Sequence, residues 1–306
     1  MTDVSIVVPF YNESESVNMF FETIFPLLKH AKLSFEILCI NDGSRDNTLD
    51  LLKNFQKKRR QIKILDFSRN FGKDAAITAG LDFAAGKCVI PIDCDLQDPP
   101  ELILDMIKKW RNGFDVVLAK RVDRSEDSVA KRATAKFFYK ICNLLSDLEL
   151  PENVGDFRLM DRKVIDTLKT FPERQRFLKG LFAFAGYKTT VVEYKRPERH
   201  RGKTKWSYWK LWNYAIDGIT SFSMFPLKIS TYFGLLVTLM AFVRGIWIFF
   251  RTIFLGIDMP GYASLMTTML FLGGVQLMSL GIIGEYVGRI YIESKKRPIY
   301  IIKEII

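Results

Sequence analysis

The sequence predicts an α/β domain on a mostly parallel sheet flanked by helices, followed by an interfacial amphipathic helix and two transmembrane helices. Three observations carry that expectation. Residues 1 to about 200 alternate short β-branched runs with amphipathic segments. Residues 229–290 hold very little charge. Between them lies a stretch dense in Arg, Lys, Trp, Tyr and Phe, in a chain of 306 residues with a formal net charge of +11.

The strands are "VSIVVPF" (4–10), "FEILCIN" (35–41), "IKILDF" (62–67), "KCVIPID" (87–93) and "DVVLAK" (115–120), apolar runs that end in turn residues. Helical periodicity fills the gaps. Over 14–32, Val17, Phe20, Phe21, Ile24, Leu27 and Leu28 share one face, and Pro26 should kink or split the helix. Residues 47–58 predict a second helix, and 73–86 a third with Gly86 as its C-cap. Pro99 and Pro100 open a fourth, which Gly113 closes. This alternation implies parallel strands covered on both faces, in a sheet complete within a first domain of residues 1–195. Ligands of such sheets bind beyond the carboxyl ends of the strands. "YNE" (11–13), "NDGS" (41–44) and the acidic "PIDCDLQDPP" (91–100) all fall there.

The last third is apolar. Residues 229–250 carry one charge, Arg244, and residues 264–284 none. A bilayer core takes about 20 apolar residues as helix, so both segments of the 229–290 hairpin are long enough to span. Lys210 and Lys228 precede the first span. Arg289, Lys295, Lys296, Arg297 and Lys303 follow the second. The positive-inside rule then places both termini in the cytoplasm, with 291–306 as a basic tail. Arg244 would snorkel toward the far interface. Gly284 and Gly288 form a candidate close-packing pair. Residues 196–228 read as a basic, aromatic segment on an anionic leaflet. Nucleic-acid binding would rest on net charge alone, so no nucleic-acid partner is expected. A strand pattern starting at Val4 predicts no secretory leader. Cys39, Cys88, Cys94 and Cys142 lack CxxC spacing, which suits reduced thiols.

The acidic stretch carries the chemistry. On extended backbone, Asp93 and Asp95 face the same way while Cys94 faces the other. Paired carboxylates suit Mg2+ or Mn2+, completed by substrate phosphates. Zinc does not suit a chain with two histidines, His30 and His200, and no Cys/His cluster. There is no GxxxxGK[ST] loop and no GxGxxG after the first strand, so a diphosphate would be held through metal rather than a glycine cradle.

"SIVVPFYNE", "INDGSRDNT", "RNFGKDAAITAGL", "PIDCDLQDPPE", "GDFRLMDRKV" and "RGKTKWSYWKL" occur in that order. Together they resemble the family 2 glycosyltransferases of the GT-A fold, in the branch that loads sugars onto polyprenyl phosphates. The resemblance covers essentially the whole chain. The two C-terminal spans are most similar to the bacterial bactoprenol glucosyltransferases of O-antigen modification. It implies inverting transfer of a sugar, glucose first among candidates, from a UDP-sugar to undecaprenyl phosphate at the cytoplasmic face of the bacterial inner membrane. Mannose, N-acetylglucosamine or a modified pentose stay open as the sugar.

The resemblance also implies site residues. Asp95 is the firmer metal ligand, and Asp93 shares the metal or holds the ribose. Pro9, Tyr11, Glu13 and Asp42 line the nucleotide pocket, with Asp42 accepting from a uracil N–H. Lys73 lies near the nucleotide, and Gln97 contacts the sugar. Asp156 is the candidate base, or it orients an acceptor phosphate that is already mostly dianionic, with a second pKa near ~6. Arg121, Arg201, Lys203 and Lys205 would steer that phosphate. Membrane lipids are further partners, and a homo-oligomer could form through the transmembrane helices. A processive polysaccharide synthase would carry Gln-x-x-Arg-Trp, which Gln175-Arg176-Phe177 does not supply. Intact Asp93, Asp95 and Asp156 speak against an inactive scaffold.

Overall fold

The computed structural model describes residues 2–31, 33–122, 151, 153–195, 220–255 and 261–306. Its strands are β1 (Val4–Phe10), β2 (Phe35–Asn41), β3 (Ile62–Phe67), β4 (Cys88–Pro91), β5 (Val116–Arg121), β6 (Val154–Asp161), β7 (Thr189–Tyr194) and β8 (Ile302–Ile305). They form one sheet in the order β7-β5-β6-β4-β1-β2-β3-β8. β4, β1, β2 and β3 run parallel, as expected from their strand–helix alternation. β6 enters antiparallel between β4 and β5, and β8 lies antiparallel on β3. The order steps from β1 to β2 on one side and back to β4 on the other. The cleft between the carboxyl ends of β1 and β4 is therefore the switch point where such sheets bind ligands.

Alternation along β1 explains the two-layer core. Val4, Ile6, Val8 and Phe10 pack with α1 (Ser14–His30), α2 (Thr48–Lys58) and α4 (Leu102–Arg111). Val7 faces the opposite layer, with α3 (Lys73–Phe83), α5 (Arg162–Lys169) and α6 (Leu178–Phe184). Asp161 caps α5 by accepting from the Lys163 N–H at 3.0 Å, a cap worth about 1 kcal/mol.

Four expectations need correction. Pro26 does not split α1, which runs unbroken from Ser14 to His30. Pro26 and Glu22 are both exposed, so the carbonyl that loses its helical donor can be met by water. Gly86 is not the cap of α3. The helix ends at Phe83, and Gly86 leads into β4 with its N–H on the Ser5 hydroxyl at 2.7 Å. The sheet is not complete at residue 195. The chain returns after the apolar helices, and β8 adds the edge strand beyond β3. There Tyr300 stacks on Phe67 with centroids 5.3 Å apart, and its hydroxyl donates to Asp82 at 2.8 Å. Finally, a Cβ at Gly284 or Gly288 would meet nothing within 4 Å, so this pair makes no close contact within the described chain.

α7 (Phe225–Leu255) and α8 (Tyr262–Ser294) extend beyond the expected spans at both ends. Each is about 45–50 Å long at ~1.5 Å per residue, more than a ~30 Å hydrocarbon core. Their most apolar windows are wholly unburied, with Tyr232, Leu239, Phe254 and Leu277 open to the surroundings. Both helices are long and apolar enough to cross a membrane. Ser230 and Ser279 join the pair by a 2.8 Å hydroxyl bond.

Candidate active site

The site gathers at the carboxyl ends of β1, β2 and β4, with one contribution from β6. Backbone strain concentrates there. Among the described non-glycine residues, Asn12, Leu96, Asn153 and Lys296 have positive φ. Asn12 stands between Tyr11 and Glu13, Leu96 between Asp95 and Gln97, and Asn153 just before β6. Such conformations cost of order 1–3 kcal/mol each and persist where surrounding structure holds them. Asn12 is held by its N–H on the Ser44 hydroxyl at 3.0 Å and by its side-chain oxygen, which accepts from the Arg45 N–H at 2.8 Å.

After β4 the chain exposes its carboxylates. Cys94 is buried in the core, while Asp93 and Asp95 on either side are partly exposed. Asp95 accepts from the Gln97 N–H at 3.2 Å, which closes the turn at Leu96. The third acid, Asp98, is bound instead by the Tyr194 hydroxyl of β7.

Lys73, the first residue of α3, reaches into this group. Its Nζ lies 2.8 Å from Asp93 and 2.8 Å from Asp156 of β6. Burial disfavours the Lys73 charge, but the two carboxylates outweigh it and hold the ammonium above its ordinary value. Burial also pushes Asp156 up. Lys73 and Lys179 overcome that and hold its carboxyl at about 2. Asp93 is raised, chiefly by burial, against the pull of Lys73. Asp156 is thus ionised at neutral pH and a weak proton acceptor.

Asp42 is 3% exposed and places the loop before Lys73. Its carboxylate accepts from the Phe71 N–H at 2.6 Å and the Gly72 N–H at 2.9 Å. Burial pushes Asp42 up, and those two bonds oppose it. Gly43, at φ +64°, makes the crossing possible, since a Cβ there would lie 2.4 Å from the Arg69 backbone. Glu13 sits at the start of α1, where its carboxylate accepts from Ser16 and its N–H donates to Thr48. Pro9 is half-buried at the end of β1, and Tyr11 is exposed beyond it. Gln97 is partly buried in the turn after Asp95. Arg121 ends β5, and its N–H on the Asn153 carbonyl at 3.1 Å ties that strand to the turn before Asp156. Arg201, Lys203 and Lys205 lie outside the described residues.

Two charged residues escaped the sequence reading. Asp74 adjoins Lys73. Burial and the Asp156 charge raise its carboxyl to about 6. Lys179, on α6, acts on both Asp74 and Asp156. The signal for Lys179 was a lone cation within the apolar run "FLKGLFAF".

Among the described residues, no three His, Cys, Asp or Glu side chains group to hold a metal alone. Asp93 and Asp95 supply two neighbouring carboxylates and no more. That donor set fits a hard cation whose remaining ligands are phosphates and water.

Residues 5–169 match the family model "Glycosyl transferase family 2". The chain is 50% identical over 302 residues to a prophage bactoprenol glucosyl transferase homolog of Escherichia coli, covering 99% of each. This chain belongs to glycosyltransferase family 2. It is also 52% identical over 303 residues to an uncharacterized glycosyltransferase of Synechocystis, covering 99% of this chain and 95% of the relative. A bactoprenol glucosyl transferase of Shigella phage SfV is 50% identical over 300 residues, covering 98% of both. Residues 225–290 of this family 2 glycosyltransferase match a second model, the GtrB C-terminal hairpin, which coincides with α7 and α8.

Proposed function

We propose that this glycosyltransferase moves glucose from UDP-glucose to a polyprenyl phosphate, undecaprenyl phosphate in a bacterial membrane, with inversion at the sugar carbon. The observation that carries the reading is the conjunction of an acidic site at the β1/β4 switch point with two unburied apolar helices in one chain. A water-soluble donor and a membrane-held acceptor need both.

Pro9, Tyr11, Glu13 and Asp42 border the nucleotide, with Gln97 near the sugar. Asp95 and Asp93 would hold Mg2+ or Mn2+ against the donor diphosphate, where the cation supplies Lewis-acid neutralisation of the departing charge. Lys73 adds a fixed positive charge beside Asp93 and orients Asp156. With its carboxyl held at about 2, Asp156 acts less as a proton acceptor than as a fixed anion that orders the cations around the acceptor phosphate. That phosphate is already mostly dianionic at neutral pH. Arg121, Arg201, Lys203 and Lys205 draw it in. The catalytic domain and both termini lie on the cytoplasmic side and the hairpin anchors the domain; of the basic, aromatic segment 196–228, residues 196–219 lie outside the described residues. The glycolipid would then serve cell-surface glycan modification of the O-antigen kind, and copies of the chain would associate through α7 and α8.

The test is incubation of purified protein in detergent with undecaprenyl phosphate, Mg2+ and a panel of labelled nucleotide sugars. UDP-glucose should give labelled lipid in preference to the other donors. Preference for another donor would reassign the sugar. Labelled water-soluble polymer would make the protein a processive synthase.

A further inference from the structure

The ends of the apolar hairpin nearest the transferase domain are seated on one short stretch of that domain, 174–180. Glu293, near the end of α8, accepts from the backbone N–H of Arg174 at 2.9 Å and of Gln175 at 3.0 Å. The Arg174 guanidinium donates to the Arg297 carbonyl at 2.7 Å. From the other end, Phe222 lies across α6. A Cβ on Gly180 would stand 2.2 Å from the Phe222 ring, so the ring occupies the space that the missing side chain leaves. The same ring lies 6.1 Å from that of Phe177. The two hairpin ends are tied to each other as well, by Tyr286 donating to the Ser223 carbonyl at 2.6 Å and Arg289 to the Ser221 hydroxyl at 3.0 Å. Lys179, inside the seated stretch, acts on Asp156 alongside Lys73. The hairpin ends and the reaction centre are thus linked through one short stretch, Arg174–Gly180.

We propose that Glu293 and Phe222 are positioning residues that fix the height and tilt of the transfer site above the bilayer through the Arg174–Gly180 saddle. The proposal rests on the lipid-phosphate acceptor reading given above. Both residues contact the 174–180 stretch and not the Asp93–Lys73–Asp156 group, so their loss should matter only when the acceptor phosphate is itself held at a fixed depth. A carboxylate that accepts two adjacent backbone N–H groups is a directional clamp, and a glycine covered by an aromatic ring is a shape-specific one.

The experiment uses the full chain in proteoliposomes with UDP-glucose and Mg2+. One acceptor is undecaprenyl phosphate in the bilayer, and the other is geranyl phosphate in the aqueous phase. Glu293→Ala should lower kcat/KM for the embedded acceptor at least tenfold and for the soluble acceptor less than twofold, with unchanged UDP-glucose affinity. Phe222→Ala should give the same split. Glu293→Gln keeps the Oε1 acceptor for both N–H groups and should restore much of the loss, so it carries the test if the alanine variant unfolds. Equal losses on both acceptors would overturn the proposal, because these residues would then merely stabilise the domain. Full activity of Glu293→Ala on the embedded acceptor would overturn it too. Wild-type protein inactive on both acceptors, with the nucleotide sugar that the donor panel selects, would refute the acceptor reading itself and take this proposal with it.

Discussion

The Lys73 ammonium stands 2.8 Å from the Asp156 carboxylate, and the same nitrogen stands 2.8 Å from Asp93. One cation on α3 thereby links the acidic turn after β4 to β6. Lys73→Met breaks both pairs. Asp156 is held at about 2 by Lys73 and Lys179 against burial, so losing Lys73 must raise it. In the wild type, turnover between pH 5 and 8 should show no acid loss from Asp156. In the variant, turnover should fall by about 10-fold or more at pH 7 and fall further as pH drops toward 5, which a pH profile of kcat would show.

Asp156→Asn keeps the shape of the side chain and removes its charge. Isothermal titration should find UDP-glucose affinity within about twofold of wild type, while kcat falls on the order of 10²-fold. A large loss of donor affinity would instead place Asp156 in the donor pocket.

Asp95→Asn removes one of two carboxylates offered to a cation. Mg2+-dependent UDP-glucose binding should weaken by about tenfold or more, with metal-independent UDP binding little changed. The comparison of titrations with Mg2+ and with EDTA reads this directly. Equal binding with Mg2+ in variant and wild type would remove Asp95 from the metal site.

Asp74 is a stability group. Burial raises its native carboxyl to about 6, above an unfolded value near ~3.9. Between those values the native state binds more protons than the unfolded state. Its contribution is therefore favourable below about pH 4 and is lost as pH rises toward about 6. Asp74→Asn removes the cost of the buried charge, at most about 3 kcal/mol at ~1.4 kcal/mol per pKa unit. Thermal unfolding in detergent should show the variant gaining on wild type as pH goes from 4 to 7. A constant difference would contradict this assignment.

How much of this was legible in the sequence depended on the range of the interaction. β1, β2 and β3 match their sequence runs residue for residue, because each is a continuous buried run closed by a turn. β4 stops at Pro91, two residues short: Ile92 still donates its N–H to the Val7 carbonyl at 2.9 Å, and the acidic turn begins after it. β8 was hidden. Its "IKEI" has mostly exposed side chains, and only pairing with the distant β3 makes it a strand. The alternation of Asp93 and Asp95 about a buried Cys94 is local and was visible. The Lys73 bridge, the engagement of Asp42 by the 71–72 backbone and the Glu293 clamp join residues far apart in the chain, where no spacing rule operates.

The central claim is that a sugar, and not a sugar phosphate, leaves the nucleotide for a lipid phosphate. The released nucleotide tests it most directly. With UDP-glucose, undecaprenyl phosphate and Mg2+, chromatography of the aqueous phase should show UDP appearing one for one with a singly phosphorylated glycolipid, and only when acceptor is present. Release of UMP with a diphosphate-linked lipid, or release of UDP without acceptor and without glycolipid, would contradict it.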